Sequence, residues 1–156
     1  SDASANDLRE SGTEYSGFIK DHYLQLPNTL PPRVKGLAES LTQSAETPYD
    51  KALAIESFMR GPTFTYSQDI EKPPVGSDGV DHFLFVTRTG YSDYFASAMA
   101  VMLRSVGVPT RMVGGYAPGE QSTEQGVRQV KDSDSHGWVQ VYFPNHGWIE
   151  FEPTTA

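Results

Sequence analysis

The chain has 156 residues, 37% hydrophobic and 12% aromatic, which is enough apolar material for one domain with a packed core. Twenty acidic against twelve basic residues leave a net charge of −8, which argues against a nucleic-acid or anionic-membrane surface. No stretch approaches the roughly 18 apolar residues of a membrane helix, and the N-terminus lacks a signal pattern, so the chain as it stands is expected to be soluble.

Residues 1–22 are expected to form a flexible arm, because Ser1 to about Tyr15 is rich in Ser, Asp, Glu and Asn with almost no apolar anchor. The folded domain is expected over 23–156. From Tyr23 to Pro32 the chain is Leu/Pro-rich and extended. Pro31-Pro32 then offers a helix start for Arg33 to about Thr42, with Val34, Leu37, Ala38 and Leu41 on one face. Thr47-Pro48-Tyr49-Asp50 begins a second helix, with a Thr cap, Pro at the first position and an acid at the third. Its buried face is Ala52, Leu53, Ile55, Phe58 and Met59, and Gly61-Pro62 ends it. Thr63 to Tyr66 alternates like a short strand, Ser67 to Gly79 reads as a loop, and Asp81 to Phe85 reads as a single helical turn.

The central helix follows Gly90-Tyr91-Ser92. Phe95, Met99, Met102, Leu103 and Val106 recur at spacings of three and four, and Ala96 and Ala100 make a small-residue stripe below Ser92. Ser92 is placed at or near the N-cap, beside unpaired backbone N–H groups that stabilise a developing anion. Serine is also a preferred cap in any helix, so on these residues alone capping is the default reading.

After Gly107 and Pro109, Thr110 to Tyr116 reads as a strand whose paired glycines, Gly114 and Gly115, permit a bulge or a close backbone approach. Pro118 to Lys131 is polar and expected to be mobile. His136 to Phe143 and Trp148 to Glu152 are two strands of a hairpin joined through Pro144-Asn145-His146-Gly147. The order of elements predicts an α+β domain with the central helix packed on one face of an antiparallel sheet. The chain ends at Glu152-Pro153-Thr154-Thr155-Ala156, directly after a strand pattern, as a piece of a longer protein is expected to.

Hairpin register decides one relationship. If Phe143 pairs with Gly147, Trp138 lies opposite Glu152, and His136 becomes the diagonal same-face neighbour of Glu152, with Cβ atoms about 7–8 Å apart. If the loop is one residue shorter, the two side chains fall on opposite faces. The first register brings an acid within reach of an imidazole. Ser92, His136 and Glu152 would then suit nucleophilic acyl transfer, with Ser92 attacking, His136 moving the proton and Glu152 fixing the imidazole tautomer. A Ser, a His and a Glu in that order occur in most chains of this size, so spacing alone does not single them out.

Four blocks do more: Gly90-Tyr91-Ser92-Asp93-Tyr94-Phe95-Ala96, Val108 through Tyr116, Asp134-Ser135-His136-Gly137-Trp138-Val139-Gln140-Val141, and Gly147 through Thr154. In this order they resemble the transglutaminase-like superfamily, over about Leu24 to Thr154. The closest form is the extracytoplasmic domain of multi-pass bacterial membrane proteins. The resemblance implies a papain-like core in which a helix N-terminus bearing a cysteine faces a strand carrying histidine and a neighbouring strand carrying an acid. It places the family cysteine on Ser92, the histidine on His136 and the aspartate on Glu152.

Glu for Asp is a mild departure, but Ser for Cys is not. A thiol of pKa about 8.5 is readily lowered to give a standing thiolate, whereas a hydroxyl depends wholly on its base. Three readings of Ser92 follow, in this order: a Cys-to-Ser change introduced to stop oxidation or turnover, a natural non-catalytic relative, and a working serine variant. The total absence of cysteine fits the first.

Other residues have plainer readings. Asp132 to Gly137 begins like a calcium loop, but Phe143 stands where the bidentate Glu must be. His22, His82 and His146 lack partners at zinc-site spacing, so neither a metal nor another cofactor is expected. Tyr94, Asp134 and Trp138 are candidate substrate contacts, against default roles as sheet or core aromatics and a turn-forming acid. Tyr116 and Tyr142 could also line a groove. The expected partner is an amide substrate in a peptide or envelope polymer, outside the cytoplasmic membrane by resemblance, with membrane contact only through absent parts of a parent protein. The expected activity is acyl transfer or amide hydrolysis. The alternative is a non-catalytic peptide-binding module on the same fold.

Overall fold

The computed structural model describes residues 2–116 and 135–156. Two short helices come first, α1 (Ala5–Arg9) and α2 (Gly17–Tyr23). Ser4 starts α1 with a capping box, its hydroxyl accepting from Asp7 N–H while the Asp7 carboxylate accepts from Ser4 N–H. Ser16 caps α2 by accepting from Ile19 N–H. Leu8, only 4% exposed, belongs to the main core, and Arg9 pairs with Asp50 at 3.0 Å. Residues 1–22 were expected as an arm, and this segment instead carries two helices and a core residue. Each helix has one serine cap and one buried apolar residue, and through Leu8 the first of them joins the main core.

Helices α3 (Pro32–Thr42) and α4 (Pro48–Arg60) form where the sequence places them, each with proline in its first turn. Thr47 caps α4 by accepting from Asp50 N–H at 3.2 Å. On α4, Ala52, Ile55 and Met59 are fully buried, while Leu53 and Phe58 pack partly covered against the core. Strand β1 is only Thr65–Tyr66 and pairs in parallel with β2 (Thr89–Gly90), a strand the sequence pattern did not suggest. Between them α5 (Gly79–His82), capped by Asp78, runs into a π-helical turn over Phe83–Thr87. That turn drives Phe83 and Leu84 into the core and ends at Arg88 in the left-handed region, with φ 53°.

Helix α6 (Ser92–Ser105) is the centre of the molecule, and β3 (Thr110–Tyr116), β4 (Ser135–Phe143) and β5 (Gly147–Phe151) form an antiparallel sheet in that order. Phe95, Met99, Met102 and Leu103 of α6 are fully buried, each worth about 1.5–3 kcal/mol of apolar burial. They meet the sheet face made by Thr110, Val139, Val141, Phe143 and Phe151, all buried. Alternation sends Arg111, Trp138, Gln140, Tyr142, Trp148 and Glu150 to the other face. There the Arg111 guanidinium lies 4.0 Å over the Trp148 ring, and Tyr23 of α2 packs edge-on to Trp148 at 4.7 Å.

Phe143 pairs with Gly147, the longer-loop register of the two the sequence allowed. Asn145 takes a positive φ of 70°, a conformation asparagine tolerates, and Gly147 follows at 78°. No helix among the described residues is long and apolar enough to cross a membrane.

Candidate functional site

Ser92, expected at or near the N-cap, is the first residue of α6; the N-cap itself is Tyr91, which makes no side-chain capping bond. The Ser92 hydroxyl therefore does not serve the helix end. It accepts a hydrogen bond from the Gly137 N–H of β4 at 2.9 Å, and Ser92 is 1% exposed. The close approach depends on small residues. A Cβ at position 137 would lie 2.7 Å from Asp93 Oδ1 and 3.7 Å from Ala96 Cβ, so glycine lets the helix tip rest on the strand backbone.

His136 precedes Gly137, and its Nε2 contacts Glu152 Oε1. An ionised carboxylate only accepts, so this contact favours the tautomer with the proton on Nε2 and leaves Nδ1 as the acceptor nitrogen. Glu152 lies one residue beyond β5 and is held from several sides. Its second oxygen accepts from Thr154 N–H at 3.1 Å. Its backbone N–H donates to Glu56 Oε2 at 2.9 Å, and its carbonyl accepts from Arg60 Nη1 at 2.9 Å. The imidazole also stacks on Trp138, ring centroids 6.0 Å apart. An imidazole fixed by a carboxylate, beside a strand N–H bonded to the first side chain of a helix, can place a base next to a nucleophile.

The candidate substrate contacts separate. Tyr94 and its neighbours Tyr91 and Asp93 line an open cleft of about 440 Å³ beside the α6 N-terminus, walled by Pro27, Leu30 and Met112. Burial, with Tyr91 and Asp93 nearby, pushes the Tyr94 hydroxyl up from its ordinary pKa. Trp138 lines a different hollow of about 350 Å³ with Glu56, Glu150 and Glu152, and its ring lies against Gly115, where an added Cβ would meet it at 3.1 Å. Gly115 thus serves a close approach, whereas a Cβ added at Gly114 would meet nothing within 4 Å, and the β3–β4 register runs unbroken from Thr110 to Tyr116 without a bulge. Asp134 and Asp132 lie outside the described residues. Tyr142 packs edge-on to Trp148 at 5.3 Å and not into either hollow.

Three contributors were not singled out from sequence. Gly137 stood inside a quoted block, and Glu56 and Arg60 sat among the polar residues of α4. The available signal was their spacing of four, which puts both on one helix face.

Comparison with known proteins shows the family. The family model described as the transglutaminase-like superfamily matches residues 35–153. The chain is 43% identical over 152 residues to the uncharacterized protein YebA of Bacillus subtilis, covering 94% of this chain and 20% of that protein. It is 38% identical over 131 residues to a protein-glutamine gamma-glutamyltransferase of Pseudomonas aeruginosa, covering 84% of this chain and 19% of that protein. It therefore spans about a fifth of the length of these curated relatives. Among solved structures, the periplasmic domain of TgpA from Pseudomonas aeruginosa superposes with a TM-score of 0.74 at 36% identity, covering 94% of this chain and 49% of that one. An α+β core with a central helix on an antiparallel sheet, matched over most of its length in sequence and in shape, assigns the chain to the transglutaminase-like superfamily.

Proposed function

We propose that this domain has the architecture of an acyl-transfer enzyme acting on a carboxamide of a peptide or envelope polymer, with residue 92 as the nucleophile position, His136 as the base and Glu152 as its orienting acid. One observation carries the reading: the Ser92 side chain turns away from helix capping and bonds to the strand N–H next to His136, whose far nitrogen is engaged by Glu152. The glutamyltransferase relative supports glutamine as the amide-bearing residue.

With a thiol at position 92, the chemistry runs in two halves. His136 takes the thiol proton, the thiolate adds to the amide carbonyl, and the tetrahedral adduct collapses as the imidazolium protonates the departing nitrogen. A thioester and ammonia, or an amine, result. Water or a second amine, deprotonated by His136, then displaces the thiol to give an acid or a new amide. Glu152 supports the charge on the imidazole through both halves. Catalysis by Ser92 lacks the standing thiolate, and replacing a nucleophile of this kind typically costs several orders of magnitude, so the Ser92 chain is expected to be inactive. The hydroxyl at this position favours a second reading for the chain as it stands, a peptide-binding module that keeps the cleft without turnover. By its periplasmic relative, the domain is proposed to work on the extracytoplasmic side of a bacterial membrane.

The test is to incubate Ser92→Cys protein with glutamine-containing peptides, with and without a primary amine. Ammonia release or amine incorporation, absent in Ser92→Cys/His136→Ala protein, is expected. Peptide binding without either product would favour the binding module.

A further inference from the structure

The carboxylate that meets His136 is attached to a residue lying past the last rung of β5. Both backbone groups of Glu152 are instead held by α4, across a sequence separation of more than ninety residues. Glu56 Oε2 accepts from the Glu152 N–H at 2.9 Å, and Arg60 Nη1 donates to the Glu152 carbonyl at 2.9 Å. The two gripping residues are four apart on one helix, so they act as a pair of fixed jaws. The same turn of chain is tied once more, where Thr155 Oγ1 donates to the Arg60 carbonyl at 2.9 Å.

From this arrangement we propose that Glu56 and Arg60 are positioning residues that set the placement of the Glu152 carboxylate, and through it the tautomer and aim of His136. This rests on reading His136 and Glu152 as base and orienting acid. Neither Glu56 nor Arg60 touches His136 in any described contact, and their influence passes through the backbone of residue 152. Without the jaws, the backbone of residue 152 loses both its anchors, and on this side the turn keeps only the Thr154 N–H bond to the carboxylate and the Thr155 bond to the Arg60 carbonyl. A shift of about 1 Å in such an element is enough to cost on the order of 10²-fold in rate.

The experiment uses the chain as it stands. Imidazole ¹⁵N shifts of His136 are recorded for wild type, Glu56→Met, which keeps length and helix preference but cannot accept, Glu56→Gln, which keeps an acceptor oxygen, and Arg60→Met. The shifts of His22, His82 and His146 report whether each variant is folded. Expected are a largely Nε2–H tautomer in wild type and Glu56→Gln, and a shift towards a mixture of tautomers in Glu56→Met and Arg60→Met. In the Ser92→Cys background, alkylation of the thiol should fall by about 10²-fold with Glu56→Met and recover with Glu56→Gln. A wild-type His136 spectrum in both Met variants overturns the proposal, as does a Gln variant that behaves like Met. Should Glu56→Met fail to fold, Arg60→Met carries the same comparison. If the thiol is unreactive in every background while the tautomer shifts as described, the acyl-transfer reading fails and the positioning holds.

Discussion

The Gly137 N–H donates to Ser92 Oγ at 2.9 Å, so the residue after His136, through its backbone, fixes the side chain at the tip of α6. A side chain at position 137 would press on this tie, since an added Cβ would lie 2.7 Å from Asp93 Oδ1. Helix tip and strand are thereby tied together one residue from His136, the neighbourhood that the proposed pairing of residue 92 with His136 requires.

Gly137→Ala is accordingly expected to destabilise the fold by pressing on the Asp93 carboxylate, and Gly137→Val to do so by about 1–3 kcal/mol. Because the nearest obstacle is Asp93 Oδ1 at 2.7 Å, the cost of Gly137→Ala should shrink when Asp93→Ala is present. Urea unfolding of the two single variants and the double variant measures this, with a coupling of about 0.5 kcal/mol or more expected for residues in contact.

Thr47 is a second local device with a defined effect. Its hydroxyl accepts from Asp50 N–H at 3.2 Å and donates to Asp50 Oδ2 at 2.7 Å. Thr47→Ala should lower stability by about 1 kcal/mol, and Thr47→Ser should restore most of it, both read from urea midpoints.

Acid should weaken the fold through two carboxyls. The Thr47 hydroxyl and then Arg9 hold Asp50 below its ordinary pKa of 3.8, and the Arg33 guanidinium does the same for Asp81. Each group titrates lower folded than unfolded. Its stabilisation is therefore present above 3.8 and is lost as pH falls through the folded value. The Arg33–Asp81 pair is bidentate at 2.7 Å but partly exposed, so solvent screening keeps its share small. Asp50→Asn/Asp81→Asn protein should lose less stability than wild type between pH 5 and pH 2, measured by thermal melting across that range.

Much of the fold was legible because its signals are local or strongly periodic. Thr47-Pro48 announces α4, and the stripe Phe95, Met99, Met102, Leu103 announces α6. The hairpin left one ambiguity, a loop longer or shorter by a residue, and the pairing of Phe143 with Gly147 resolves it in the register that brings His136 to Glu152. Helices α1 and α2 were missed because elements of 5 and 7 residues with one buried anchor each have too little length to show a period. Strand β2 is two residues long and exists only through its distant partner β1. Glu56 and Arg60 were missed for another reason. Their role is a grip on a backbone far along the chain, and nothing in a polar helix face specifies which backbone it will meet.

The most direct test of residue 92 as a nucleophile position is the pH dependence of iodoacetamide alkylation of Ser92→Cys protein, with and without His136→Ala. A thiol at a helix N-terminus beside an imidazole should titrate well below the roughly 8.5 of free cysteine, and His136→Ala should return it towards that value. A profile that follows free cysteine, and is the same in both proteins, would contradict the assignment of residue 92 and His136 to one catalytic pair.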